Sequence, residues 1–278
     1  MSAAYQVARE SMLEALHENA RQILPYLKRR SLAGFHSTTE RFTKKPRLVA
    51  ASIADGVDLT NTPYTPTQVP LTVGEVGLQL TQTDLNKSSS LLEASDIGME
   101  MGEAIAEKLL SDIVSLGGGA STSVGTTTVD LTEAQFLAAK AALMANRIKE
   151  PHVAVLHTQQ AFDLAADIGT TLPALIGASG STIRGAGNDQ TPDMSHDFGE
   201  WMKVRVLYFE SVPTANAGAD SAGFMFGSQR AIGMVDKWQT RMEEERDASL
   251  RASEFVGTAA YAVGEIDDDA IIGVITDR

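Results

Sequence analysis

The sequence predicts an α+β protein in which extended elements come first and a compact α/β region follows. Three observations carry this prediction. A long amphipathic helix is predicted over 89–116, a pair of strands is predicted before it, and a Gly-, Ser- and Thr-rich linker at 117–128 separates it from alternating helix and strand patterns. With 278 residues, 43% of them hydrophobic, the chain can bury a core for one large domain or two interleaved ones.

The amino-acid composition excludes several kinds of protein. The chain has no cysteine, which rules out disulfides and thiolate metal sites and fits a reducing compartment. It has no run of about 18 apolar residues, so no segment is predicted to span a membrane. Arg9, Glu10 and Glu14 lie where a secretory signal needs its apolar stretch, and we therefore expect no such signal.

The net charge of −13 is distributed unevenly along the chain. Residues 1–50 hold 9 Lys or Arg and 4 Asp or Glu, whereas the remaining 228 residues hold 14 and 32. A basic leader on an acidic body indicates that the leader has an acidic partner, either nucleic acid or another subunit. The alternative is an ordinary solvated basic face.

Residues 3–24 predict an amphipathic helix, which Pro25 ends or kinks. Its apolar residues recur at steps of three and four, at Leu13, Leu16, Ala20, Ile23 and Leu27. Because this segment has no core of its own, we expect the stripe to pack on another part of the fold or on a neighbouring subunit. The basic residues that follow are Lys28, Arg29, Arg30, Arg41, Lys44, Lys45 and Arg47.

Residues 47–84 predict a long β-hairpin. Its first strand is predicted at 48–53, and its second strand alternates in polarity from 69 to 80. The apolar phase slips by one residue in the second strand, which predicts a bulge near Gly74 and Glu75. The polar tip contains Asn61, Pro63 and Pro66.

The segment 89–116 gives the strongest helix pattern in the chain. Ser88 to Ser90 supply N-caps, and the glycines at 117–119 end the helix. At a rise of 1.5 Å per residue the helix is about 42 Å long, well above the usual length. Its apolar stripe consists of Leu91, Ala94, Gly98, Met101, Ile105, Leu109, Ile113 and Leu116.

After the linker, helices are predicted from Thr132 to Ile148 and from Thr158 to Ile168, with a buried strand at 153–156 between them. A long loop rich in Gly, Ser, Asn and Asp is predicted at 177–199. Further strands are predicted at 204–208, 223–226, 231–236, 255–264 and 270–275.

Candidate catalytic and cofactor sites do not converge. The glycines at 117–119 lack the spacing of a phosphate-binding loop, and the segment 185–190 lacks the third glycine of a dinucleotide-binding fingerprint. His152 and His157 flank a strand, and 267–269 fits a solvated hairpin turn better than a cation site. We therefore expect no cofactor, no metal ion and no enzymatic activity.

The order of these elements resembles the major capsid proteins of tailed phages, which share the fold named after phage Hong Kong 97. The resemblance covers nearly the whole chain and rests on the long helix with Leu91-Leu92-Glu93-Ala94 and Glu107-Lys108-Leu109-Leu110, the start of the α/β region at 129–132, and the closing segments 259–264 and 270–274. It implies an N-terminal arm at 1–46, an extended hairpin loop at 47–86, a spine helix and linker of a peripheral domain at 87–128, an apical α/β domain at 129–222, peripheral-domain strands at 223–260 and closing apical strands at 261–278.

The resemblance also implies a function. The chain would be a structural protein that assembles with itself, through pentamers and hexamers, into an icosahedral phage head around double-stranded DNA. Scaffolding, portal and decoration proteins are the other implied partners, packaged DNA would be contacted non-specifically, and the virion capsid would form in the host cytoplasm. We expect inter-subunit or interior contacts at Lys28, Arg29, Arg30, Lys44, Lys45, Asn61, Pro63 and Pro66.

Two alternatives stay open. A bacterial encapsulin-type nanocompartment resembles the same fold and encloses protein cargo in place of DNA. A soluble α/β enzyme could use the 177–199 loop as a lid, and it would be a monomer or dimer of 29.6 kDa subunits rather than a megadalton particle.

Overall fold

The structure is a computed structural model that describes residues 3–89, 94–176 and 197–278, apart from the single positions 21, 47, 51, 54, 57, 59, 60 and 62. Most of the predicted 177–199 loop lies outside the described residues. The same holds for Ser90 and Leu91 of the predicted long helix.

The described chain contains both helices and strands, joined by short 3₁₀ turns. The helices are α1 (Ala3–Ala20), α2 (Asp84–Ser89), α3 (Ala94–Ser115), α4 (Glu133–Ala145) and α5 (Thr158–Ile176). The strands are β1 (Lys28–Ser31), β2 (Thr39–Lys44), β3 (Thr67–Thr72), β4 (Gly74–Thr83), β5 (Ser123–Val124), β6 (His152–Leu156), β7 (Asp197–Trp201), β8 (Val204–Tyr208), β9 (Thr214–Ala215), β10 (Asp220–Gly227), β11 (Ile232–Asp247), β12 (Ala252–Glu265) and β13 (Ile271–Asp277).

A seven-stranded mixed sheet holds the main core. Its order is β5-β13-β10-β6-β8-β7, with β9 paired to β10, and β6 is buried at every position. Helices α4 and α5 pack against it, and Phe136 of α4 lies in the same cluster as Phe224 and Phe226 of β10. The helix predicted from Thr132 is confirmed, because Thr132 and Gln135 form a reciprocal capping box at its start.

A four-stranded sheet of order β1-β11-β12-β4 forms the second layer. Strands β11 and β12 run 16 and 14 residues as one long hairpin. Strand β12 nearly matches the predicted strand at 255–264, whereas β11 runs well beyond the one predicted at 231–236. The extension of β11 passes through a segment rich in Glu and Arg, in which Met242 is buried in one cluster with Phe255 of β12. The alternation of apolar and polar residues that predicts a strand is weak in this segment, because a solvent-exposed sheet face accepts charged side chains of any kind.

The long helix α3 connects the two sheets and is described from Ala94. The predicted start at 89 is wrong, because Ser88 and Ser89, two of the predicted N-caps, are the last residues of α2. The predicted stripe is confirmed where it is described. Met101, Ile105, Leu109 and Ile113 are all buried. A short 3₁₀ turn over Leu116–Gly119, which contains the glycines at 117–119, ends the helix, as the sequence predicts.

Helix α1 packs on α3 of the same chain. Ala8 and Met12 are fully buried in a cluster with Met101, whereas Leu13 is half-buried, so the predicted stripe starts one position off the buried face. The two helices approach most closely at Gly98, where an added Cβ would lie 1.9 Å from the carbonyl oxygen of Ala8. The arm helix is therefore covered by its own subunit.

The predicted strand at 48–53 is wrong. The described residues of that segment form no strand, and β3 pairs instead with β2, in register from Thr39 opposite Thr72 to Lys44 opposite Thr67. The reason is the buried ring of Phe42 in β2, which anchors that strand in a small cluster with Leu71. The hairpin therefore joins residues of the predicted arm and of the predicted loop, and the division into domains stays a prediction.

The predicted bulge near Gly74 and Glu75 is also wrong. Strand β3 ends at Thr72, and after Val73 the chain enters β4, which pairs with β12 in the four-stranded sheet. The N–H of Val73 donates to the carbonyl of Thr38 (2.8 Å) and closes the hairpin. The phase slip marks a change of sheet, which an apolar pattern cannot distinguish from a bulge.

Candidate functional site: a basic cleft beside the hairpin

A cleft of about 400 Å³ lies where the ends of β2 and α4 meet the β10–β11 and β12–β13 turns. These segments are far apart in the chain, and the pairing of β10 with both β6 and β13 brings them together. One carboxylate, Asp267, lines the cleft. The cationic side chains that line it are Lys28, Lys44, Lys45, Arg147 and Arg230.

Asp267 holds two of these cations. Its carboxylate lies 2.8 Å from Nζ of Lys44 and accepts from Nε of Arg230 at 3.0 Å, and its side chain is only 5% exposed. Burial by itself raises the pKa of Asp267, but the hydrogen bonds from Lys44 and Arg230 outweigh it, so the pKa lies below its usual range. This pair of contacts ties the end of the hairpin strand to the β12–β13 turn.

The other cations of the cleft have no carboxylate partner among the described residues; they are Lys28, Lys45 and Arg147. Partial burial lowers the pKa of Lys28, and the neighbouring charges of Arg30 and Lys45 lower it further. Like charges therefore crowd one another here, and an anion entering the cleft would relieve that repulsion.

Aromatic packing fixes one wall of this basic region. The ammonium of Lys28 and the guanidinium of Arg30 lie 5.7 Å and 5.1 Å from the ring centroid of Phe42. Cations over an aromatic face are attracted by its negative potential. The ring that anchors the hairpin therefore also holds the basic residues of β1 in place.

Arg147 reaches the cleft from the end of α4. Its N–H donates to the carbonyl of Met144 (2.9 Å), and the N–H of Ile148 donates to the carbonyl of Leu143 (3.0 Å), which is the pattern that ends a helix on a left-handed residue. Arg147 takes that position with φ of 57°, where glycine is the usual residue. A side chain in this conformation costs about 1 kcal/mol.

Sequence similarity identifies no relative of this chain. No protein-family profile matches it, and no curated protein is significantly similar to it in sequence. Solved structures, however, are similar in fold. The capsid of cyanophage Pam1 superposes with a TM-score of 0.68 at 13% identity, over 92% of this chain and 91% of that chain. The capsid of Ralstonia phage GP4 superposes with a TM-score of 0.65 at 10% identity, over 91% and 87%. The chain has the fold of tailed-phage capsid proteins.

The predicted Hong Kong 97-like fold is thereby confirmed. A virus-like particle from Pyrococcus furiosus has a similar subunit, with a TM-score of 0.63 at 11% identity over 98% of this chain and 100% of that chain. The fold is therefore found in particles of more than one origin.

Within this capsid fold, the predicted contact residues separate into groups. Lys28, Lys44 and Lys45 meet in the basic cleft. Arg29 instead pairs with Asp236 (2.9 Å), and Arg30 pairs with Glu40, so both are neutralised within the subunit. The residues of the hairpin tip, Asn61, Pro63 and Pro66, are exposed in the loop between β2 and β3. Whether any of these residues contacts another subunit stays a prediction.

Two cations of the cleft, Arg147 and Arg230, were missed by sequence reasoning. Arg147 has Lys149 as the only other lysine or arginine within five positions, and Arg230 has none, so no local cluster of charge indicates a site. Their juxtaposition with Lys45 comes from sheet topology. The one local signal is an arginine where a helix would normally end on glycine.

The histidines and aspartates considered for metal binding lie in structural positions. Nε2 of buried His152 is 3.2 Å from the carbonyl oxygen of Ile148, and Nδ1 of His157 accepts from the N–H of Gln159 at 3.2 Å. Within the described ranges, no group of three or more His, Cys, Asp or Glu side chains is arranged to hold a metal ion. Among the same residues, no helix has the length and hydrophobicity needed to cross a membrane.

Proposed function

We propose that this chain is the major capsid protein of a tailed phage, a structural subunit that assembles with itself into an icosahedral head enclosing double-stranded DNA. The observation that carries the proposal is the fold, which matches phage capsid subunits over about nine-tenths of the chain, 92% in the case of cyanophage Pam1. A match of that extent leaves little of the chain for another activity.

The exposed apolar side chains of the hairpin support this proposal. Leu48 and Val49 are 57% and 74% exposed, and Ile53 and Tyr64 are 48% and 53% exposed. Apolar side chains grouped on one projecting loop are typical of an interaction surface. A two-stranded hairpin is marginally stable alone, so a neighbouring subunit is the natural cover for its distal part.

The proposal assigns the protein no catalytic role. A shell subunit acts through repeated complementary surfaces, and obligate interfaces of this kind bury about 2,000–5,000 Å². Closed point-group symmetry is the usual outcome of such self-association. Assembly in the host cytoplasm, with scaffolding, portal and decoration proteins as further partners, completes the proposed role.

The decisive experiment is particle formation by the purified chain, with and without its native accessory proteins. Mass photometry and negative-stain microscopy should find closed megadalton particles built from rings of five and six subunits. A chain that stays a 29.6 kDa monomer or a dimer under all of these conditions would contradict the proposal and favour the enzyme alternative.

The contents of particles from the native source separate a phage head from a nanocompartment. We expect double-stranded DNA that resists nuclease until the shell is opened. The likeness to the Pyrococcus furiosus particle makes the compartment the competing outcome, and a defined protein cargo without DNA would establish it.

A further inference from the structure

We propose that the basic cleft of one subunit receives an acidic stripe on α3 of the next subunit. The stripe consists of Glu100, Glu103 and Glu107. This inference rests on the proposed function, because it names the contact through which shell subunits associate. The cleft is the one lined by Lys28, Lys45 and Arg147 and by the ion pairs of Asp267 with Lys44 and Arg230.

The acidic stripe is a continuous feature of one helix face. Its three glutamates follow the i, i+3, i+7 spacing, which places them within about 60° of one another and over about 10.5 Å of helix length. All three are exposed, and none has an ion-pair partner among the described residues. Like charges at these spacings destabilise a helix. A cationic partner from outside the subunit would remove that repulsion.

The cleft is electrostatically the counterpart of the stripe. Lys28, Lys45 and Arg147 lack carboxylate partners in the described chain, and Arg147 reaches the cleft from a backbone position that normally holds glycine. Each surface is thus unfavourable when isolated, and each offers the charge that the other lacks. No ion pair joins the cleft and the stripe within the described part of one subunit, so both surfaces are available to a second copy.

Another acidic segment of the chain fits the cleft less well. Glu243 to Glu245 on β11 are flanked by Arg241 and Arg246, and Glu244 already has an interaction partner. Residues 241–246 hold two arginines and three glutamates and so carry a net charge of −1, whereas the α3 stripe carries three unpaired charges. Charge complementarity selects the stripe as the occupant.

A nucleic-acid occupant is disfavoured by the surrounding charge. The chain carries a net charge of −13, and the carboxylate of Asp269, 68% exposed, lies 3.4 Å from Lys44 at the cleft. A polyanion would meet repulsion from both, while a short row of carboxylates can enter with few charges. A head-to-tail contact between two different surfaces such as these generates a ring when the rotation between copies closes, which is the arrangement that pentamers and hexamers need.

The test reverses charge on each surface in the full chain. K45E/R147E should reduce subunit association at low salt, measured by sedimentation velocity, and should reduce particle yield by at least about tenfold, as should E103K/E107K. Combining all four substitutions recreates a complementary pair with reversed signs, and it should restore both readouts. K149E/R278E, which makes the same change in net charge at two exposed residues outside the cleft, should behave as the unmodified chain.

Folding and assembly are separated by a further variant. R147G removes the side chain from a left-handed position, so it should melt at the same or a higher temperature while yielding fewer particles. Circular dichroism of every variant should match that of the unmodified chain.

Several results would overturn the inference. One is normal association by K45E/R147E, including the case in which its particles form in normal number but hold less DNA, which would make the cleft a phosphate site. Another is a folded four-fold variant that stays defective. If the unmodified chain forms no particle at all, the proposed function fails, and sedimentation of the soluble variants still decides whether cleft and stripe meet.

Discussion

The arm helix α1 and the hairpin β2–β3 both extend from the main sheets, and they differ in what covers them. Ala8 and Met12 of α1 are fully buried against α3 of the same chain. The hairpin is buried at its base through Phe42, whereas Leu48 and Val49 on its loop are 57% and 74% exposed. The arm thus belongs to the folding unit of its own subunit, and the distal hairpin is free to take part in association.

The base of the hairpin should give the largest loss of stability. Phe42→Ala removes a fully buried ring from a cluster with Leu32, Leu71, Val235 and Ile266, and it should lower the free energy of unfolding by about 3–5 kcal/mol in chemical denaturation. Phe35→Ala, at a ring that is 65% exposed, is the control and should change it by less than about 0.5 kcal/mol. If both substitutions lowered the free energy of unfolding by the same small amount, the whole hairpin would lie outside the core.

A single methyl group added at Gly98 should disrupt the packing of α1 on α3. Gly98→Ala places Cβ 1.9 Å from the Ala8 carbonyl, so the helices must separate, and we expect a loss of about 1–3 kcal/mol. Alanine in a helix interior normally stabilises by about 0.8–1 kcal/mol, which makes a loss diagnostic of the close approach.

The matched control is Gly119→Ala, because a Cβ at Gly119 meets no atom within 4 Å. Its melting temperature should stay close to that of the unmodified chain. A stabilised Gly98→Ala variant would show that α1 does not lie on α3 in solution, and the arm would then resemble the distal hairpin.

The ion pairs of Asp267 should give a smaller, pH-dependent effect. Because the folded chain lowers the pKa of Asp267, the unfolded state binds more protons in acid, and this stabilisation is present above the ordinary pKa of 3.8 and lost as the pH falls through the folded value. Asp267→Asn should lower the free energy of unfolding by about 1–2 kcal/mol at pH 7, since hydrogen bonds between charged groups contribute roughly that energy and the partners Lys44 and Arg230 are partly exposed.

Urea denaturation at a series of pH values measures this difference. The gap between Asp267→Asn and the unmodified chain should narrow as the pH is lowered below 3.8. A gap that is constant with pH would mean that Lys44 and Arg230 do not hold the carboxylate, and the hairpin base would then be fixed by Phe42 packing alone.

The tip of the hairpin should have the smallest effect on stability. Deleting residues 59–64 should change the free energy of unfolding by less than about 0.5 kcal/mol, because the entropy cost of closing a loop falls only slightly when the loop is shortened. Particle yield should nevertheless fall sharply. A replacement of the same segment by Gly and Ser at equal length separates loop length from side-chain identity.

Either of two outcomes would contradict the view that the arm is part of its own subunit's core while the distal hairpin serves assembly. Normal particles from the shortened chain would show that the tip is not an assembly element. Loss of a cooperative melt would show that the tip belongs to the core of its own subunit.

The order and kind of most elements could be predicted, because they depend on local periodicity. The stripe of α3 has a helical period over more than 20 residues, and β6 is a short apolar run buried on both faces. The strand at 48–53 could not be rejected in the same way. Its residues have strand character, but a strand forms only beside a partner, and Phe42 gave that role to β2.

The candidate site was only half predictable. Lys28, Lys44 and Lys45 form a visible charge cluster in the sequence, whereas Arg147 and Arg230 join them through the sheet. Arg29 and Arg30 belong to the same cluster in the sequence, yet Asp236 and Glu40 neutralise them. The density of charge along the sequence does not show which cations will form ion pairs with carboxylates elsewhere in the chain.

The sequence by itself determined the α+β class, the long helix, the basic leader and the resemblance to a capsid fold, because period, composition and element order are properties of the chain alone. The tertiary structure decided which strand completes the hairpin, that α1 is covered by α3, and which cations stay unpaired in the cleft. Those outcomes depend on contacts between residues more than two hundred positions apart in some cases, such as Lys44 with Asp267. A residue's neighbours in space, and the free energy of burying it among them, are fixed only when the sheets have formed.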